Sequence, residues 1–232
     1  MFLLLLLLMV ACRNSGNKAS EKGNGESDQY RMAVEVVLKD EADMNRFLSQ
    51  FAEIKLEKFA WKNHVVLFGD KSDTAGIGKK IRTSDIPYEI KWYLHPFYVF
   101  DKLSCCADTA VSSSWNDYVL TANLVEDTVL QNEYMAYHKT QFTKWPEVAQ
   151  GFCHAGFQQL LVFRSGRQLL LVISVPSDKT LDELDPKTVE NNPRMVEWNN
   201  LMSRYQEGIE GTSDDETWVF LDKVSTEKEL KR

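Results

Sequence analysis

The chain predicts an α+β fold built from two βαββαβ units in tandem, and three observations carry this. Strand-like and helix-like segments follow one another in the same order in residues 30–106 and 117–232. The last strand-like segment of each unit has a related ending. YVFDKLS (98–104) and WVFLDKVS (218–225) align Asp101 and Lys102 with Asp222 and Lys223 at an offset of one residue. Finally, 44% hydrophobic against 26% charged residues is an ordinary globular balance, sufficient for a substantial core.

The elements follow in order. YRMAVEVVLKD (30–40) has strand character through Val34, Val36 and Leu38. EADMNRFLSQFAEI brings Met44, Phe47, Leu48 and Phe51 to helical spacing. LEKFAWKN and HVVLFGDK read as two short strands joined around Asn63 and His64. TAGIGKKIRTSDI reads as a short helix despite Gly76 and Gly78. YEIKWYLHPFYVFDKLS closes the unit as strand, with Pro96 as a break or edge feature. After a linker at 107–116, the second unit begins with the strand DYVLTANLVED (117–127). One long helical stretch covers 128–155, and a hairpin turns at Ser165 and Gly166. A second helical stretch runs over 193–206, through Met195, Trp198, Leu201, Met202 and Tyr205. The strand WVFLDKVS ends the unit. This order is the ferredoxin-like one. Two such sheets are expected to pack face to face, as a dimeric α/β-barrel-like pseudo-dimer within one chain.

The opening MFLLLLLLMVAC has an apolar run too short for a membrane-spanning helix. It resembles a bacterial lipoprotein signal (1–12), which implies lipidation at Cys12; an uncleaved apolar anchor is the alternative. Residues 13–29 are polar and rich in Gly, Ser and Asn, the composition of a flexible tether. The expected location is the cell envelope, bacterial periplasm or outer membrane, with membrane contact only through the lipid anchor. A net charge of -7 without a basic run argues against nucleic acid as a partner. The absence of a CxxC pair argues against a zinc site. Cys153 is expected to pair with Cys105 or Cys106 only in an oxidising compartment; buried thiols are the simpler expectation.

Chemistry gathers in NEYMAYHKTQFTKWPEV (132–148). At about 100° per residue, Tyr134, His138, Gln141 and Trp145 fall within roughly 60° of one another on a helix. One face then presents phenol, imidazole, amide and indole. The same stripe would also serve as an aromatic core with a hydrogen-bonded histidine. Histidine passes protons near neutral pH, and aromatic faces stack on the C–H faces of sugars. With no phosphate loop and no Ser-His-Asp set legible, acid-base work on a small polar substrate is the reading left.

The second half resembles the L-rhamnose mutarotase family, and most of all its L-fucose branch. EYMAYH (133–138), WPEV (145–148), HAGF (154–157), VFRSGRQLLLV (162–172), NPRMVEWNNLMSRYQ (192–206) and WVFLDKV (218–224) carry the resemblance, in order. The resemblance implies a ferredoxin-like unit that pairs into a barrel, exchange of α and β anomers of a pyranose, and no cofactor or metal. It implies His138 as general acid/base and Tyr134 as a group that binds the sugar and orients it. Trp145, Trp198, Arg164, Gln206 and Gln141 are the expected substrate-binding residues. Trp218 reads as packing. Trp145 stands seven residues after His138, close to one helical turn beyond the family spacing, which moves it relative to a sugar. The first unit has no histidine on its first helix and reads as a non-catalytic copy replacing a second subunit. A monomer or weak homodimer is expected. Two other readings stay open: a sugar-binding lipoprotein without chemistry, and another α/β-barrel enzyme such as a cofactor-free monooxygenase.

Overall fold

The computed structural model describes residues 30–224; the lipoprotein-type signal, Cys12 and the tether at 13–29 lie outside them. The first unit runs β1 (Met32–Leu38), α1 (Met44–Ser49), β2 (Glu57–Trp61), β3 (His64–Gly69), α2 (Thr74–Arg82) and β4 (Tyr88–Tyr93). β5 (Tyr98–Asp101) and the single-turn α3 (Lys102–Cys105) follow. The second unit runs β6 (Trp115–Leu124), α4 (Thr128–Lys144), α5 (Pro146–Ala155), β7 (Gln159–Ser165) and β8 (Gln168–Pro176). It continues through α6 (Leu181–Leu184), α7 (Pro193–Met202), β9 (Gln206–Glu207) and β10 (Val219–Lys223).

The strands lie in the order β4-β1-β3-β2-β10-β6-β8-β7-β5, and all the pairings are antiparallel. Within each unit this is the ferredoxin-like order of fourth, first, third and second strand. The two sheets bury their inner faces together, as expected, and they are also joined edge to edge. β10 pairs with β6 through Val219–Leu221, then passes to the other unit, where Asp222 faces Ala60 and Lys223 faces Phe59 on β2. The stretch expected to close the first unit divides at Pro96. β4 stays on β1, whereas β5 lies on β7 of the second unit. Proline has no N–H to give a ladder, so the strand breaks there. β4 and β5 are consecutive in the chain, so one segment supplies the strands at both ends of this order. The physical gain is at the edges: β2 and β7 would otherwise present unpaired N–H and C=O groups.

Alternation along the strands divides the core in three. On β1, Met32, Val34, Val36 and Leu38 face the helices of the first unit and pack on Phe47, Phe51, Ile77 and Ile81. Ala33 faces into the barrel, beside Phe59, Phe68, Val119, Phe163 and Val172 from both units. The third cluster lies between the second sheet and α4, α5 and α7. In the first unit the space under the helices is filled by apolar side chains.

Glu35 points into the barrel and is fully buried. His64 Nδ1 lies 2.7 Å from its Oε1, Tyr93 donates its hydroxyl at 2.9 Å, and Gln168 of the second unit donates at 2.9 Å. Lys91 stands 3.8 Å away. Burial alone would raise the Glu35 pKa. The bond with His64, the charge of Lys91 and the amide of Gln168 outweigh it and hold the carboxyl below its ordinary value.

Cys106, directly after α3, is bonded to Cys153 on α5, with their Cα atoms 5.6 Å apart. The expectation of buried thiols is thereby corrected: the β5 crossing, which the sequence does not announce, brings the two cysteines together. The bridge spans 47 residues. Chain entropy sets its contribution at about 4 kcal/mol. The Cys106→Ser/Cys153→Ser protein is expected to lose roughly that much stability, read as a lower urea midpoint with a somewhat steeper slope, since the unbridged unfolded chain exposes more surface.

Candidate active site

α4 starts at Asp127, whose carboxylate accepts the Val129 N–H at 2.7 Å and so caps the helix. Its buried face is Gln131, Tyr134, His138, Gln141 and Phe142. This face is far more polar than a core stripe needs to be. The predicted helix over 128–155 is in fact two helices. Trp145 leaves helical geometry at φ -136°, ψ 52°, because a residue before proline is disfavoured in the α region. Pro146 then starts α5 at its first position. α5 stops at Gly156, whose φ of 84° suits a residue without Cβ.

Between these helices, α7 and the outer face of the second sheet lies a cavity of about 350 Å³. That is within the range of small-molecule sites. Of the residues singled out in the sequence, Tyr134, His138, Trp198 and Gln206 line it. Most of the remaining wall is apolar: Val148 and Phe152 from α5, Leu160 and Val162 from β7, Leu171 and Ile173 from β8. Asp185, Thr188, Asn199, Ser203 and Thr217 add polar groups.

His138 is 9% exposed. Its Nδ1 lies 3.0 Å from the Tyr134 carbonyl, which makes Nδ1 the protonated nitrogen. Nε2 is then a lone-pair acceptor, and no protein hydrogen bond occupies it among the described residues. Four rings enclose the imidazole: Tyr134 at 4.3 Å between centroids, Tyr98 and Trp198 at 5.3 Å each, and Phe97 at 5.7 Å. Burial pushes the His138 pKa down to about 4, and the bond to the Tyr134 carbonyl offsets only part of this. The ring is therefore neutral at pH 7. Burial also raises the Tyr134 phenol, against a smaller opposing effect of Gln206. Gln206 donates to the Tyr134 hydroxyl at 3.3 Å and accepts from the Trp218 indole at 3.1 Å. The Tyr134 O–H is left to donate elsewhere.

Three expected residues stand off the cavity. Trp145 has turned out of the helix face; its ring packs edge-on to Trp198 at 5.6 Å and lies under the Arg194 guanidinium at 3.8 Å. Gln141 is wholly buried, accepts from the Tyr98 hydroxyl at 2.9 Å and donates to the Trp145 carbonyl at 2.7 Å. Arg164 is taken up by the Gly166 carbonyl at 2.6 Å and by Gln131 at 2.7 Å. Two cavity residues were not expected there. Trp218 lines the wall rather than only packing, and Tyr98 arrives from the first unit. The related endings at 98–104 and 218–225 were the available signal for both, since an aromatic residue heads each.

A profile of the L-rhamnose mutarotase family matches residues 117–225. An L-fucose mutarotase of Xanthomonas campestris pv. campestris is 32% identical over 105 residues, 44% of this chain and 78% of that protein. A UPF0734 protein of Dictyostelium discoideum is 30% identical over 121 residues, 49% of this chain and 90% of that protein. Among solved structures, a candidate monooxygenase of Fusobacterium nucleatum subsp. nucleatum overlays with a TM-score of 0.47 at 8% identity, covering 84% of this chain and 92% of that one. A ferredoxin fold protein of Listeria monocytogenes, related to antibiotic biosynthesis monooxygenases, overlays at 0.41 and 9% identity, covering 87% and 99%. At such scores the overlays carry no functional argument. The family profile and the L-fucose mutarotase match the half that holds His138 and its cavity, and through that half the chain belongs to the L-rhamnose mutarotase family.

Proposed function

We propose that the cavity takes a 6-deoxy-L-sugar, L-fucose or L-rhamnose, and exchanges its α and β anomers. One observation carries the reading: a neutral imidazole with an unoccupied Nε2 stands on the wall of a mostly apolar cavity, beside a phenol that can donate. In the proposed reaction Nε2 takes the proton of the anomeric hydroxyl. The C1 carbonyl forms as the bond from C1 to the ring oxygen breaks. The ring oxygen takes its proton from the imidazolium just made, or through the Tyr134 hydroxyl. Rotation about C1–C2 and the reverse steps close the ring on the opposite face. The reaction consumes no electrons and no second substrate.

The walls suit this substrate class. Trp198 and Trp218 offer ring surface to C–H groups, and the Val, Leu and Ile side chains suit the C6 methyl of a 6-deoxy sugar. Gln206 and Asn199 suit its hydroxyls. We also propose a monomer, since the first unit occupies the place a second subunit would take. An envelope location fits as well: the Cys106–Cys153 bridge favours an oxidising compartment.

The test is NMR magnetisation transfer between anomers of each sugar near neutral pH. Exchange that rises in proportion to protein is the expected result. Binding without faster exchange would leave a sugar-binding protein that has lost its chemistry. Indifference to both sugars would overturn the reading.

A further inference from the structure

β5 belongs to the first unit by sequence and to the second by hydrogen bonding. Tyr98 faces Val162 and Asp101 faces Gln159 on β7. Phe97 N–H also donates to the Val162 carbonyl at 2.9 Å. Just beyond, the Cys106–Cys153 bridge fastens the segment to α5, a helix that lines the cavity. The crossing segment is thus held at both ends on the second unit.

We infer that this crossing completes the site, and that Tyr98 is a positioning residue that holds the His138 ring with Nε2 toward the cavity. The inference rests on the mutarotase reading of the cavity. An imidazole tied at Nδ1 to a single carbonyl can still tilt about that bond. Tyr98 meets it edge-on at 5.3 Å and 86°, and Trp198 meets it at 5.3 Å and 65°. Tyr98 is itself fixed. It is 5% exposed, stacks on Phe142 at 5.3 Å and 11°, and donates its hydroxyl to Gln141. Gln141 in turn holds the last turn of α4 through the Trp145 carbonyl. The hydroxyl is therefore committed to the scaffold, and the ring is the part that acts on His138. Residues 117–232 do not supply this wall, so the first unit contributes to the site and does more than fill the place of a partner.

The test compares Tyr98→Ala and Tyr98→Phe in the whole chain, by anomer exchange and by NMR titration of His138. The other ionisable groups around the imidazole are the Tyr134 phenol, with the Asp185 carboxyl on the cavity wall. Tyr98→Ala is expected to lower kcat by about 10²-fold with KM little changed, the scale of a small misplacement of a reacting group. His138 should then titrate closer to its ordinary 6.5, because water reaches the ring. Tyr98→Phe keeps the ring and should keep most of the rate and the wild-type titration. If Tyr98→Ala does not fold, Tyr98→Leu replaces it, holding apolar volume without a flat ring. A folded Ala or Leu variant with wild-type kcat and wild-type His138 titration overturns the inference. A wild-type protein that exchanges no sugar overturns the mutarotase reading instead, and the His138 titration alone then decides the positioning role.

Discussion

The His138→Ala protein is expected to fold as the wild type does and to lose about 10²–10⁴-fold in anomer exchange, the range for one general acid/base. Folding is checked by circular dichroism and exchange by NMR. Sugar binding should survive in large part, because Trp198, Trp218, Gln206 and the apolar wall stay in place. In the wild type, exchange should stay level from neutral pH downward and fall as pH passes about 4, where the buried imidazole takes its proton. The same group affects stability. The unfolded chain binds this proton below the ordinary pKa of 6.5, and the folded chain only below about 4. The unfolded state therefore holds more protons between those values, and stability falls as pH falls through that window. His138→Ala should remove this part of the acid sensitivity. A profile with its lower limb near 6.5 would mean that water reaches the ring and that it is not desolvated.

The Glu35→Ala protein is expected to lose about 3–5 kcal/mol of stability, the scale for removing one member of a buried charged pair. His64, Tyr93, Gln168 and Lys91 all converge on this carboxylate, and each would lose a partner inside the barrel. The bond from Gln168 reaches across the two units, so the change should loosen their joint as well as the first unit. Chemical denaturation of Glu35→Ala beside wild type measures it; a loss under about 1 kcal/mol would mean that water has replaced the carboxylate. The pH sign is definite. The folded Glu35 pKa lies below its ordinary 4.5, so its stabilisation is complete above 4.5 and is lost as pH falls through the folded value. Above pH 5 the wild type should show no dependence on this group.

The candidate site was legible where polar side chains and helix periodicity coincide. Tyr134 and His138 share one face of α4 because residues four apart always do on a helix. Trp198 follows from a second helix read in the same way, whereas Gln206 was named by the family resemblance and lies beyond that helix, on β9. Trp145 was misplaced by that rule, because the backbone restriction before Pro146 interrupts the face one residue too early. Arg164 sits beside a turn whose geometry gives it to the Gly166 carbonyl and to α4. Tyr98 could not be read as part of the site at all. Its contribution depends on a strand leaving one sheet for another, and neither periodicity nor composition records which edge a strand will find.

The order of strands and helices, the doubled unit and the histidine-bearing face are local in origin, set by side-chain alternation and helical spacing within 20 residues or so of chain. The joining of the two sheets, the partner of Cys106, the enclosure of His138 and the carboxylate within the barrel are different in kind. Each is a meeting of residues tens of positions apart. Such meetings are selected by burial of apolar faces and by the pairing of the β2 and β7 edges, and only the folded chain satisfies both at once.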